Sequence, residues 1–206
     1  MTWILTSTGR RFDLERPKAA DVTLEDIAHA LAMQCRFNGH TKHHYSVAQH
    51  SVLVSLHVPD GLRLHALLHD GHEAYVGDIV NPLKMLLFLS RLEAIVDGID
   101  SAIRERFGLR ELTGGEIAVI KQADLEALRT EARDLLPGGG EGLPELRMAE
   151  PWPAPIRPMS IGEARDWFRF RFLELSPFAV DEVLGDRTTV NMEIDRGRRE
   201  TEAQER

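Results

Sequence analysis

Four residues on three separate segments carry the chemistry of this sequence: His50, the adjacent pair His69-Asp70, and Asp124. His50 lies one helical turn after Val47 and one before Val54. His69 shares a face with Leu62, His65 and Ala66. Asp124 lies one turn after Ile120 and one before Leu128. Each puts a polar group where packing favours leucine. A buried, unpaired carboxylate costs several kcal/mol or more, so Asp124 needs a cation or a strong partner. Taken singly, each histidine reads as a satisfied core residue and the aspartate as a cap or ion-pair partner. Taken together they read as ligands. Imidazole and carboxylate donors suit one divalent ion such as cobalt, manganese, zinc or iron, with magnesium a further possibility. Glu73 follows His69 and Asp70 by one turn and is expected to reach the same cavity. There it would orient or deprotonate a water made acidic by the ion.

The elements that must position these residues are helical, and the fold class expected is all-α. Residues 1–20 read as a short extended arm or hairpin. A first helix is expected over Leu24 to Cys35, with Thr23 and Asp26 at its cap and Arg36-Phe37-Asn38-Gly39 as its break. A second begins at Ser46 and ends before Pro59-Asp60-Gly61. A third spans Leu62 to Ala74. A fourth starts at Asn81-Pro82 and runs to Phe107, with a break near Ser90. Thr113 and Glu116 cap a fifth that reaches Leu136, and Ser160 and Glu163 cap a last, aromatic helix holding Trp167, Phe168, Phe170 and Phe172. Those rings suit packing or a dimer surface. Between them lies a proline-dense surface loop over residues 141–158. Residues 1–185 are expected to form one domain, and 186–206 a charged, mobile tail.

Size and charge bound the rest. The chain has 206 residues, 43% hydrophobic and 28% charged, with a net charge of −8, which leaves no general basic footprint for a nucleic acid polymer. A small phosphorylated ligand remains compatible, since a few placed cations and an ion suffice. The single cysteine, Cys35, allows no internal disulfide. Residues 1–11 lack the apolar stretch of a signal peptide, and the longest apolar run, Met85 to Leu89, is too short for a bilayer. A cytoplasmic protein with no membrane partner is the expectation.

His50, His69-Asp70 and Asp124 resemble the H…HD…D signature of the HD-domain metal phosphohydrolases. The context is similar too. Tyr45-Ser46-Val47-Ala48-Gln49-His50-Ser51 looks like the segment around that family's first histidine. His69-Asp70-Gly71-His72-Glu73-Ala74, with Gly77-Asp78, Pro82 and Lys84 after it, looks like the nucleotidase branch. Lys121-Gln122-Ala123-Asp124 looks like the segment with the final aspartate. The likeness spans Thr23 to Arg133 and implies a compact helical HD-domain bundle. It implies His50, His69, Asp70 and Asp124 as ligands of one divalent metal ion, and Glu73 as the residue that activates or positions water. It implies Arg36 on substrate phosphate, and Asp78 and Lys84 approaching the substrate. Gly71 within a helix departs from the pattern, and no second metal cluster is present in the sequence.

The activity implied is hydrolysis of (deoxy)nucleoside 5′-monophosphates. An alternative is a deoxynucleoside triphosphate triphosphohydrolase (on dATP, for example) that releases intact triphosphate, with His40, His43 and His44 as extra phosphate contacts against their reading as a solvated loop. Guanosine tetraphosphate hydrolysis ranks lower. A metal-stabilised helical signalling module without catalysis is the third class, and a free Glu73 beside the ligands argues against it. Base preference is expected to depend on walls supplied by the arm, the Phe37-Asn38-Gly39 turn and a neighbouring subunit. A homodimer is expected from the resemblance and the aromatic last helix.

Overall fold

A computed structural model describes residues 2–86, 90–141, 146–147 and 149–176. The expected tail, 186–206, lies outside the described residues. The chain is mostly helical, in agreement with the all-α class. Strands β1 (Trp3–Leu5) and β2 (Arg11–Asp13) pair antiparallel with Ile4 opposite Phe12. The hairpin docks firmly. Phe12 is buried and stacks on Tyr75 at 3.8 Å between ring centres. At its tip, Ser7 and Thr8 donate to the Asp26 carboxylate.

Helix α1 (Leu24–Met33) starts where the Thr23 hydroxyl accepts from the Asp26 amide, and buries Leu24, Ile27, Ala28, Leu31 and Ala32. It ends two residues before the expected Cys35, because Gln34 turns extended. Phe37, Asn38 and Gly39 then take left-handed backbone, with φ of 54°, 51° and 77°. For a bulky residue such as Phe37 that conformation costs about 1–3 kcal/mol. It reverses the chain, so that Cys35 bridges antiparallel to Ser46 and the Arg36 amide donates to the Tyr45 carbonyl.

Helix α2 (Val47–Leu56) is buried on every side from Val47 to Ser55, as expected of a helix at the centre of a bundle. Its polar side chains are accounted for one by one. Gln49 donates to the Arg157 carbonyl and accepts from the Met159 amide. Ser51 and Ser55 donate to carbonyls of their own helix. His50 is left at the midpoint. Around α2 pack α1, α3 (Arg63–Leu67), α7 (Gly114–Leu135) and α8 (Ile161–Leu175). Both α7 and α8 begin with full capping boxes, Thr113/Glu116 and Ser160/Glu163. The rings of α8 (Trp167, Phe168, Phe170 and Phe172) are buried in this chain's own core, so they supply no dimer surface. Between α3 and α7 run α4 (Glu73–Val76), α5 (Asn81–Leu86) and α6 (Ser90–Arg106). Among the described residues no helix is long and apolar enough to cross a membrane.

The third expected helix, Leu62 to Ala74, is corrected. It breaks into α3, a turn over 68–72, and α4. At the break the Gly71 amide bonds to Leu68 three residues back. A side chain at Gly71 would lie 3.0 Å from the Leu68 carbonyl oxygen and 3.1 Å from the Ile103 Cδ1. Glycine thus lets the turn press against α6. His69 and Asp70 sit on that turn rather than on a helix face.

Candidate metal centre

His50 enters the site from α2, fully buried. Its Nδ1 donates to the Glu131 carboxylate at 2.6 Å. His69 enters from the 68–72 turn, and its Nδ1 lies 2.7 Å from the Ala66 carbonyl. A carbonyl can only accept, so Nδ1 carries the proton and the Nε2 lone pair is free. The two Nε2 atoms face a common space together with Asp70 and Asp124. Asp70 Oδ2 is 3.5 Å from His50 Nε2 and 3.2 Å from His69 Nε2. Asp124 Oδ1 is 3.2 Å and 4.0 Å from the same two atoms. Both Nε2 atoms are buried and make no hydrogen bond. Two ligand atoms each about 2.1 Å from one ion lie about 3 Å apart at a right angle and about 4 Å apart when opposed. These four nitrogen–oxygen separations fall in that range. The donor atoms of His50, His69 and Asp124 all fall within 4.8 Å of one another, so this cluster could hold a metal ion.

Electrostatics mark the same spot. Burial and the Arg36 charge oppose a proton on His50, but Glu131 and Asp124 outweigh them and push its pKa up to about 10. Burial opposes charge on Asp124 as well, and His50, His69 and Arg36 hold its carboxyl well below the usual range.

One expectation about Asp124 is reversed. Its side chain is 41% exposed, opening on a cleft, whereas Glu131 is the fully buried carboxylate. Sequence reasoning passed over Glu131. It lies seven residues, two helical turns, beyond Asp124 on α7 and so on the same inward face, which was the available signal. Glu131 Oε1 also accepts from the Tyr45 hydroxyl at 3.0 Å. Its Oε2 accepts from Arg36 Nε and Nη2, each at 3.0 Å. Burial raises the Glu131 pKa, but Arg36 and His50 prevail and keep it below the usual value. Arg36 is thus brought to the site, with Nη1 3.9 Å from Asp70 Oδ2.

Glu73 reaches the site although its stretch of chain is not one continuous helix, because the turn bonds its amide to the Asp70 carbonyl. Its carboxylate is buried, and Oε2 has no hydrogen-bond partner. Burial, Asp70 and Asp78 push its pKa up to about 9 against Arg36 and Lys84. Asp78 is raised too, by burial first and then Asp70. Lys84 is exposed on α5 and shares the field of Glu73 and Asp78. Gln34, also overlooked, clamps this edge. It donates to the Glu73 carbonyl and accepts from the Asp78 amide.

No protein-family model matches the sequence. The chain is 40% identical over 183 residues to the Uncharacterized protein YfdR of Escherichia coli (strain K12), covering 85% of this chain and 97% of that protein. The chain belongs to the YfdR family. It is also 36% identical over 169 residues to the Uncharacterized protein RCAP_rcc00048 of Rhodobacter capsulatus, covering 77% of this chain and 85% of that protein.

In this YfdR-family chain a cavity of about 410 Å³ opens beside His69 and Asp124. Leu68, Ile103 and Ile120 give it an apolar wall, and Arg104 and Lys121 stand along it. Its walls come from His65 of α3, the 68–72 turn, α6, α7 and the connection between α6 and α7. His40 and His43 are exposed, and His44 is turned to Cys35 Sγ at 2.9 Å and the Ala32 carbonyl at 3.1 Å. His72 pairs with Asp100 at 3.1 Å, tying the turn to α6. His57 stacks on Trp152, far along α2 from the site.

Proposed function

We propose that the protein is a divalent-metal phosphohydrolase of the HD-domain type that cleaves the phosphate of (deoxy)nucleoside 5′-monophosphates. The observation that carries this reading is the pair of buried, partnerless Nε2 atoms of His50 and His69, converging with the oxygens of Asp70 and Asp124. A structural site would need no further acid nearby. Glu73, buried beside the ligands with an unpaired oxygen, supports catalysis instead.

When bound, a divalent ion supplies Lewis acidity toward a phosphoryl oxygen and makes water acidic enough to ionise near neutral pH. The chain's own residues do the rest. Arg36 offers Nη1 to a phosphate oxygen while its Nε and Nη2 contact Glu131. Lys84 adds a second cation at the exposed edge. Glu73 takes the proton of the attacking water as its oxygen bonds to phosphorus. It returns that proton to the 5′ oxygen as the P–O bond breaks. Asp78 stands at the same edge, where it meets the sugar rather than the phosphate. The apolar cleft beside Asp124 shelters the nucleoside. A monophosphate is preferred to a triphosphate because His44 is engaged by Cys35 and two cations match one phosphate.

The test incubates metal-stripped protein with deoxynucleoside mono- and triphosphates and added cobalt, manganese, zinc or magnesium. Products are resolved by ion-pair chromatography, with Asp70→Ala as control. Nucleoside plus inorganic phosphate, absent in the control, is the expected result. Intact triphosphate would replace the monophosphate reading with a triphosphohydrolase on the same ligands. No metal-dependent turnover of either would overturn both.

A further inference from the structure

We propose that Glu131 is a positioning residue that sets both halves of the site at once, holding His50 for the metal and Arg36 for the phosphate. This rests on the metal phosphohydrolase reading.

The two oxygens of Glu131 divide the work. Oε1 receives the His50 Nδ1 proton at 2.6 Å, which leaves the Nε2 lone pair facing the cluster. A neutral imidazole without that acceptor is free to carry its proton on Nε2, and such a tautomer cannot ligate. Oε2 receives Nε and Nη2 of Arg36, which leaves Nη1 as the guanidinium nitrogen without a Glu131 contact, turned toward Asp70 and the open site. The guanidinium therefore presents one fixed corner rather than a swinging fork.

Helix α7 also grips the His50 ring from both ends. Glu131 holds Nδ1, and Asp124, two turns earlier on the same helix, stands 3.2 Å from Nε2. The imidazole is thereby tied to one rigid element. Packing alone gives no reason for a carboxylate here. A fully buried acid is costly to desolvate, and an apolar residue of similar volume is often no worse for stability. Both of its strongest partners are residues of the proposed reaction, which is what a positioning role requires. Tyr45 donates to the same Oε1, and its one side-chain hydrogen bond among the described residues is to Glu131 rather than to a ligand, so it serves as an internal control.

Glu131→Gln keeps the volume but offers one acceptor and one donor group. If the amide oxygen faces Arg36, the NH2 opposes the Nδ1 proton; if it faces His50, the NH2 opposes the guanidinium. Cobalt affinity of the metal-stripped proteins, measured by titration calorimetry, is expected to weaken about 10–100-fold in Glu131→Gln. Tyr45→Phe is expected to stay near the wild-type value. At saturating cobalt, Glu131→Gln should also raise KM for a deoxynucleoside monophosphate more than it lowers kcat. Unchanged cobalt affinity in a folded Glu131→Gln protein overturns the proposal.

A second measurement needs no variant. In the zinc-loaded wild-type protein, nitrogen-proton correlation NMR should show a slowly exchanging proton on His50 Nδ1, and a proton on Nε2 instead would overturn the proposal. Neither binding readout depends on turnover. Wild-type protein that binds cobalt but hydrolyses nothing sinks the nucleotidase reading and leaves the role of Glu131 in metal binding standing.

Discussion

Glu73→Gln separates the cost of this site from its use. Glu73 is buried beside two other carboxylates, and its pKa is pushed from 4.5 to about 9, by burial first and by Asp70 and Asp78 next. The sign follows from linkage. Above pH 4.5 the unfolded chain ionises Glu73 while the folded chain keeps the proton, so rising pH favours unfolding until about pH 9 is reached. Each pH unit in that window costs about 1.4 kcal/mol, which comes to about 3 kcal/mol at pH 7. Glutamine has the size of the protonated acid and does not titrate. In EDTA, Glu73→Gln should therefore be the more stable protein at pH 7, with a melting temperature raised by about 6–12 °C for a chain of this length. The gain should vanish near pH 4.5 and grow toward pH 9. Urea denaturation at pH 5, 7 and 8.5 reads it directly. The same variant should lose hydrolysis while still binding cobalt, the pattern of a residue kept for activity at the expense of stability. A stability difference that ignores pH, or a variant less stable than wild type at pH 8.5, would refute the burial and like-charge argument.

Adding cobalt or manganese to metal-stripped protein at 100 times its Kd should stabilise it by about 2.7 kcal/mol in thermal melts. That shift should be absent in His69→Ala. Because the His50 pKa stands near 10 without metal, binding must displace its Nε2 proton. Metal affinity should therefore weaken at least tenfold for each unit the pH falls between 8.5 and 6.5, and a flat profile in competition titrations would contradict the charge network. Gly71→Ala puts a methyl group 3.0 Å from the Leu68 carbonyl oxygen, so it should cost about 1–3 kcal/mol in urea denaturation and weaken cobalt binding as the His69-Asp70 turn shifts.

Most of the helical frame was legible because its signals are local. Capping residues and apolar periodicity placed the starts of α1, α2, α7 and α8. The third helix misled because periodicity continues through residues 62–74 while the backbone does not. Gly71, a weak helix former, was the one local sign of a break; that the turn there lies close against Ile103 of α6 is visible only in the folded chain. The aromatic spacing of α8 was equally ambiguous, since core and dimer surfaces use the same residues. Within the candidate site, His50, His69 and Asp124 were read as polar residues on apolar faces and Asp70 came from its adjacency to His69 and the family resemblance; the structure brings the four together, with His69 and Asp70 on a turn. Glu131 and Gln34 were overlooked. A buried carboxylate satisfied by a distant arginine looks, in sequence, like any solvated glutamate on a helix. Its partners Arg36, Tyr45 and His50 lie 81 to 95 positions away and become visible only when the chain is folded.

The charge inventory explains why such a site tolerates itself. Asp70, Glu73, Asp78, Asp124 and Glu131 cluster around Arg36, with Lys84 acting on Glu73 and Asp78 from the exposed edge. Glu73 and Glu131 are the buried members, and an excess of negative charge around them is costly unless it is neutralised. The metal-free protein resolves it with protons: His50 is held cationic and Glu73 neutral, each displaced several pH units from its ordinary value. A divalent ion held by His50, His69, Asp70 and Asp124 would supply positive charge without those protons. It would release His50 to ligate and Glu73 to act as a base. On the proposed reading, binding and activation would be one event, since the ion that completes the cluster would also favour the ionised form of the acid beside it.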